Sequence, residues 1–181
     1  IKRIMAHEFD NPTLALVRDL FIFACFTALS FVDMKELTTD EIVEVNGEKW
    51  ILSKRHKTNV PFQVKLLDIP LQIIERYKAF QENNLVFPNL NYWSICKRMG
   101  KMIKECGITK KISFHCSRHG FATLALSKGM PIESVSRILG HTNIETTQIY
   151  AKITVQKLDN DLTMLGDKLS KSFGNVKMAG I

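Results

Sequence analysis

A chain of 181 residues at 45% hydrophobic can bury one substantial core, and a single domain is the default at that length. Its 25 Lys and Arg outnumber 18 Asp and Glu, and the formal net charge of +7 favours a polyanionic partner, nucleic acid or an anionic membrane surface. The four cysteines form no Cys-x-x-Cys pair, the longest uncharged run (Leu20 to Val32) is too short to span a bilayer, and no signal peptide opens the chain, so a soluble protein of a reducing compartment is expected. The first residue is not Met, and a longer parent protein is expected for that reason.

In chain order, Asn11-Pro12 is a helix-start signal. Thr13 to Leu29 then reads as a mostly buried helix, with Leu14, Val17, Leu20, Phe21, Ala24, Cys25 and Ala28 at helical spacing. A short helix or turn follows over Val32 to Leu37. The period then changes to two: Glu41 to Val45 alternates, Asn46-Gly47 is a strong hairpin turn, and Glu48 to Lys54 supplies the second strand. After a basic loop carrying Lys54, Arg55 and Lys57, Phe62 to Leu67 reads as a third strand. Three short antiparallel strands need helices packed on them for stability. The loop is read either as a solvated tip or as a lysine delivered to a phosphate.

Pro70 is predicted to open the next helix at its first position, with Leu71, Ile74 and Tyr77 inward. Asn91 caps another, whose stripe of Tyr92, Ile95, Cys96, Met99, Ile103 and Cys106 ends at Gly107. Lys97, Arg98, Lys101 and Lys104 lie largely off that stripe and could meet DNA phosphates. The fold class expected is α+β, mainly helical, with a small three-stranded antiparallel sheet. Residues 1–170 are expected to form the domain, and 171–181, where Gly and Ser rise, a flexible tail.

The stretch His115 to Tyr150 concentrates the chemistry. Ser113 is a plausible N-cap, which puts His115 and Arg118 on one face near a helix start, where anions are favoured. Phe121, Leu124 and Ala125 are predicted inward. Pro131 opens the next helix, Val135, Ile138 and Leu139 bury it, and Gly140 ends it, so that His141 sits in a tight turn. Thr142 and Glu145 then read as a capping box for a last short helix ending near Tyr150. His115 and His119, four apart, could suggest zinc. However, Cys116 follows His115 where a metallohydrolase helix carries Glu, and no carboxylate or close Cys pair completes a tetrahedral set. No metal site is assigned.

H-x-x-R-H-x-F-A-T over 115–123, followed by L-G-H-T-x-I-x-T-T-x-x-Y over 139–150, is similar to the signature of the tyrosine recombinase (phage-type integrase) family. Phe-Thr-Ala-Leu-Ser-Phe-Val-Asp (residues 26–33) resembles the family's first catalytic box, Lys57-Thr58 its hairpin lysine, and Leu85 to Pro88 its Leu-Phe-Pro-like turn. The resemblance covers about Thr13 to Thr154 and extends to integrases of conjugative transposons and related mobile elements. It implies that Tyr150 attacks a DNA phosphate, Arg118 grips the non-bridging oxygens, His115 accepts a proton or ligates the phosphate, His141 hydrogen-bonds it, and Lys57 protonates the leaving 5′-oxygen. His119 is left with a core hydrogen bond as its simplest role. No metal, nucleotide or other cofactor is implied.

One departure stands out. Ser30 occupies the place of the family's first-box arginine, with Asp33 at its acidic position, so one phosphate clamp is missing. Arg18, slightly ahead of Arg55, is the expected substitute. The resemblance further implies double-stranded DNA as partner and no membrane. It implies a tetramer of subunits held through a C-terminal helix (Val155, Leu158, Leu162, Leu165, Leu169), and a prokaryotic, cytoplasmic, nucleoid-associated location. An N-terminal DNA-clamping domain, common in the family, is expected outside this sequence. Two alternatives remain: a type IB-like topoisomerase of the same chemistry, and a DNA-binding module that has lost catalysis.

Overall fold

In the computed structural model, residues 1–88, 91–151 and 155–174 are described, the side chains of 155–157 and 173 excepted. The chain divides into two compact units, Ile1–Tyr150 and Ala151–Ile181. The division falls twenty residues before the expected boundary after residue 170.

The first unit is organised around α2 (Pro12–Thr27), which follows the short α1 (Lys2–Ala6). Asn11 caps α2 as predicted, its side-chain oxygen accepting from the N–H groups of Thr13 and Leu14 at 2.9 and 3.3 Å. Val17, Leu20, Phe23 and Ala24 are fully buried, as expected of a helix apolar on most sides. The helix ends earlier than the sequence pattern predicts. Ala28, also buried, turns into the left-handed region at φ 58° while its N–H closes on the Ala24 carbonyl. A non-glycine residue there is strained by roughly 1–2 kcal/mol, so surrounding packing must hold it.

α3 (Phe31–Lys35) follows at once, starting and ending slightly before the predicted span. The sheet is β1 (Ile42–Val45), β2 (Glu48–Lys54) and β3 (Pro61–Lys65), antiparallel in the order β1-β2-β3. Val45 pairs with Glu48 around Asn46-Gly47, whose φ values of 52° and 78° are those a two-residue hairpin turn requires. On the inward face Ile51 pairs with Val64, both buried, whereas Leu52 points to solvent. The third strand stops before Leu66, though the Leu66 N–H still reaches the Lys49 carbonyl at 2.8 Å.

α4 (Asp68–Tyr77) begins two residues before Pro70. Proline is tolerated there because first-turn N–H groups have no intrahelical partner. Pro70 and Ile73 are buried, with Leu71, Ile74 and Tyr77 packed on the core edge. α5 (Tyr92–Glu105) has the predicted Asn91 cap, donated to by the Ser94 N–H at 3.0 Å, and Gly107 beyond its end at φ 66°. Its buried stripe is Ile95, Met99, Met102 and Ile103, and Tyr92 is exposed.

α6 (Cys116–Ser127) crosses α2, and α7 (Ile132–Leu139) packs on both α6 and β3. Ser113 does not cap α6. A tight turn precedes the helix instead, with the Cys116 N–H on the Ser113 carbonyl and the Ser117 hydroxyl donating to the Phe114 carbonyl at 2.7 Å. Phe121, Ala122 and Leu126 are the inward residues; Leu124 is exposed. α8 (Glu145–Gln148) has Ile144 at its N-cap and no side-chain cap from Thr142; Asn143 closes the turn before it, its side-chain oxygen accepting from the Glu145 N–H at 2.9 Å and its amide donating to the Glu145 carboxylate at 3.0 Å. Asparagine takes this role readily because its short amide reaches the N–H two residues on.

The second unit contains α9 (Val155–Phe173), which continues through residues 171–173 of the expected tail; 175–181 lie outside the described residues. Leu158, Leu162, Leu165 and Leu169 recur at helical spacing and are exposed; the side chain of Val155 lies outside those described.

Candidate active site

Five chain segments meet at one end of the first unit: the ends of α2 and α7, the β2–β3 loop, the start of α6, and the turn after α8. Each is shaped by local rules. Gly140, at φ 64°, ends α7 in the left-handed conformation, with its own N–H on the Arg137 carbonyl and the His141 N–H on the Ser136 carbonyl. That double closure fixes His141, whose Nδ1 lies 2.8 Å from the hydroxyl of fully buried Thr147.

Arg118 is held by two buried helix ends. It donates from Nη1 to the Ala28 carbonyl at 3.1 Å and from Nη2 to the Leu139 carbonyl. The strained Ala28 turn therefore presents an acceptor to this arginine. Two carbonyls leave further N–H groups of the guanidinium fork for the oxygens of an anion. Burial and the nearby Arg55 charge push the Arg118 pKa down to about 10, which leaves it charged at neutral pH.

Asp33 organises the loop opposite. Ser30 and Asp33 form a capping box for α3, the Ser30 hydroxyl donating to Oδ2 at 2.8 Å. Oδ2 also takes Arg55 Nη1 at 2.8 Å, and Oδ1 takes the His56 N–H at 2.9 Å. Burial alone would raise this carboxyl, but the His56 N–H, the Arg55 guanidinium and the Ser30 hydroxyl together hold it below the ordinary carboxylate range. Lys57 rides at the tip of the loop so anchored, exposed, with no hydrogen bond or ion pair to its ammonium among the described residues.

Arg55 is buried between Phe62, 3.9 Å from its guanidinium, and the end of α7, where it donates to the Ile138 carbonyl. Its charge depresses the pKa of both Arg118 and His141. A Cβ on Gly140 would stand 2.9 Å from Arg55 Cγ. Gly140→Ala therefore meets the left-handed penalty and this clash together, and should lower stability by at least about 1–2 kcal/mol in urea denaturation. An unchanged midpoint would mean that Arg55 does not pack on Gly140.

Arg18 is elsewhere. It bonds Asp19 at 2.8 Å and the His7 carbonyl at 2.9 Å, near the start of α2. At 1.5 Å of rise per residue it lies about 15 Å along the helix from Ala28. Arg55, not Arg18, stands beside Arg118.

Ser30, Lys57, His115 and Arg118 line one cavity of about 570 Å³, with Phe31, Tyr92 and Phe114 forming part of its apolar wall. His141 lines a separate, larger groove of about 870 Å³ between β3 and α7. Burial lowers the pKa of His115 and His141, with neighbouring cations adding to it, so both favour the neutral imidazole. The Tyr150 phenol is raised by burial, against the pull of Arg118. Its hydroxyl is hydrogen-bonded to His119 Nδ1 at 2.6 Å, and the His119 ring stands edge-on to His115 with centroids 4.4 Å apart. That contact was missed from sequence. The only signal was the i, i+4 spacing of the two histidines, which says nothing of a tyrosine thirty-one residues on.

The phage integrase family model matches residues 1–157. The chain belongs to the phage integrase family. Among curated relatives, tyrosine recombinase XerD of Listeria monocytogenes is 45% identical over 67 residues, 37% of this chain and 22% of the relative. Among solved structures, the XerH site-specific recombinase bound to its difH substrate superposes with a TM-score of 0.70 at 23% identity, covering 91% of this chain and 51% of that one. The Tn1549 transposon integrase in complex with circular intermediate DNA gives 0.68 at 16% identity, covering 86% and 60%. At those identities the structures speak for the fold: the mainly helical, three-stranded architecture expected of a tyrosine recombinase catalytic domain. This phage integrase family chain matches about a fifth of the length of its curated relatives and about half of the first solved one.

Proposed function

We propose that this chain is the catalytic part of a site-specific DNA recombinase that works through a covalent tyrosine link. The observation that carries the reading is the meeting of the Tyr150 phenol with the helix start that bears His115, Arg118 and His119. Tyr150 attacks a backbone phosphorus in line; the 3′-phosphotyrosyl bond forms as the bond to the 5′-oxygen breaks. Arg118 neutralises charge on the non-bridging oxygens, with His115 and His141 donating hydrogen bonds to them. Lys57 gives a proton to the leaving 5′-oxygen. Arg55, held against Asp33, supplies the positive field that Ser30 cannot. The covalent link conserves the phosphoester energy, so neither metal nor nucleotide is needed.

The partner is double-stranded DNA, met by the basic face of α5 among others. Four subunits assemble on it, and the exposed leucines of α9 are the contact between neighbours. An N-terminal segment beyond this sequence completes the grip on DNA. Action at the nucleoid of a prokaryotic cytoplasm follows from such a substrate, and no helix among the described residues is long and apolar enough to cross a membrane.

One observation favours a second reading, a binding module without catalysis: the Ser30 hydroxyl is spent on capping α3, so no first-box side chain remains for a phosphate. The protein should be incubated with a pool of short nicked duplexes of randomised sequence and resolved under denaturing conditions. An adduct that survives chelator and disappears in Tyr150→Phe is the expected result. Duplex binding without any adduct would select the binding module, and relaxation of supercoiled plasmid without sequence preference would select the topoisomerase.

A further inference from the structure

The family pattern offers His115 as the group that takes the nucleophile's proton, but in this chain the tyrosine is bonded to a different imidazole. Tyr150 Oη lies 2.6 Å from His119 Nδ1, with the two rings tilted by 58° and their centroids 5.3 Å apart. Among the described contacts His115 does not touch the phenol. It meets the His119 ring at 90° and lines the cavity with Lys57 and Arg118. A phenol hydroxyl within hydrogen-bond reach of an imidazole nitrogen is the arrangement from which a proton can pass, and an unperturbed phenol, with pKa of about 10, needs such a partner at neutral pH.

We propose that His119 is the proton acceptor for Tyr150, which makes it a catalytic residue and leaves His115 to the phosphate. The inference rests on reading Tyr150 as the nucleophile. In the step, the Tyr150 O–H bond breaks and its proton moves to His119 Nδ1. The phenolic oxygen forms the bond to phosphorus, the bond from phosphorus to the 5′-oxygen breaks, and that oxygen takes a proton from Lys57. Rejoining runs the same transfers backwards, so His119 then returns its proton to the departing phenolate. For the hydroxyl to donate, Nδ1 must be bare and the ring hydrogen must sit on Nε2. The titratable and charged groups around this pair are His115 and Arg118 on α6, Tyr150 itself after α8, and Lys57 of the β2–β3 loop, whose charge is felt at His115.

Two His119 variants, a Lys57→Ala control and one altered substrate test the proposal. In His119→Asn the amide oxygen still accepts from the phenol but cannot take its proton; His119→Phe keeps a ring against His115 and removes both functions. On nicked duplex, both should form the adduct about 10²–10⁴-fold more slowly at neutral pH, with DNA binding retained. The Asn variant should regain speed as pH rises, because hydroxide then removes the phenol proton. A duplex with sulfur in place of the bridging 5′-oxygen needs no proton on its leaving group. It should rescue Lys57→Ala but neither His119 variant. An Asn variant with the parent's rate and pH profile would overturn the proposal, as would rescue of the His119 variants by bridging sulfur. If the parent itself forms no adduct, the nucleophile reading falls and takes this one with it. If the parent forms one and His119→Asn matches it, only this inference fails.

Discussion

Asp33→Ala should unfold the protein at a markedly lower urea concentration, with a loss of about 3–5 kcal/mol. The carboxylate is the one ion-pair partner of Arg55 among the described residues, and their side chains are only 5% and 6% exposed. Removing it leaves a buried guanidinium without a counter-charge, which costs more than the pair itself ever contributes. It also removes the Asp33 half of the α3 capping box and releases the His56 N–H. Asp33→Asn keeps the shape and some hydrogen bonds, and so should fall between parent and Ala. The same pair predicts sensitivity to acid. Because the folded carboxyl lies below its unfolded value of about 3.9, its stabilisation is present above that pH and disappears as pH falls through the folded value. The unfolding midpoint should therefore drop below about pH 4 in the parent, and that drop should be smaller in Asp33→Asn. Equal acid responses would show that the carboxylate is not what holds Arg55.

Arg118→Ala should depress adduct formation by about 10³–10⁵-fold while DNA binding weakens far less. The side chain is the one arginine whose fork lines the cavity shared by Lys57 and His115. Two opposing effects act on stability. The Ala28 and Leu139 carbonyls, both in buried residues, lose a donor, at roughly 1–3 kcal/mol each. Against that, a buried cation beside Arg55 disappears. These offset, so the unfolding midpoint should shift much less than the rate. Arg118→Lys should recover little, because an ammonium cannot satisfy two divergent carbonyls and a phosphate together. A variant that forms adduct at a tenth of the parent rate or better would remove Arg118 from the transition state.

The sequence made the elements legible where a local rule decides them. Asn46-Gly47 set the hairpin register, Asn11 and Asn91 set two helix starts, and Gly140 set the end that presents His141. It misled where two local rules compete: Pro70 fits any position of a first turn, and the side chain that closes the turn before α8 is that of Asn143, not Thr142. The placements of Arg55 and His119 were hidden for another reason. Each depends on a partner far along the chain, Asp33 for one and Tyr150 for the other, brought near by loops that no periodicity describes. Arg18 lies on the helix that precedes Ser30, but a helix turns a count of residues into distance.

Arg118 and Arg55 are held within electrostatic reach of each other by carbonyls at the ends of α2 and α7. Helix C-termini carry partial negative charge and can hold cations that would otherwise separate. The fold thus keeps two like charges close at its own expense. Removing either arginine relieves that repulsion but strands the carbonyls, or the Asp33 carboxylate, that it holds, so the corner gains no stability by losing charge. Thermostabilising substitutions therefore belong in the sheet or α4, away from this corner.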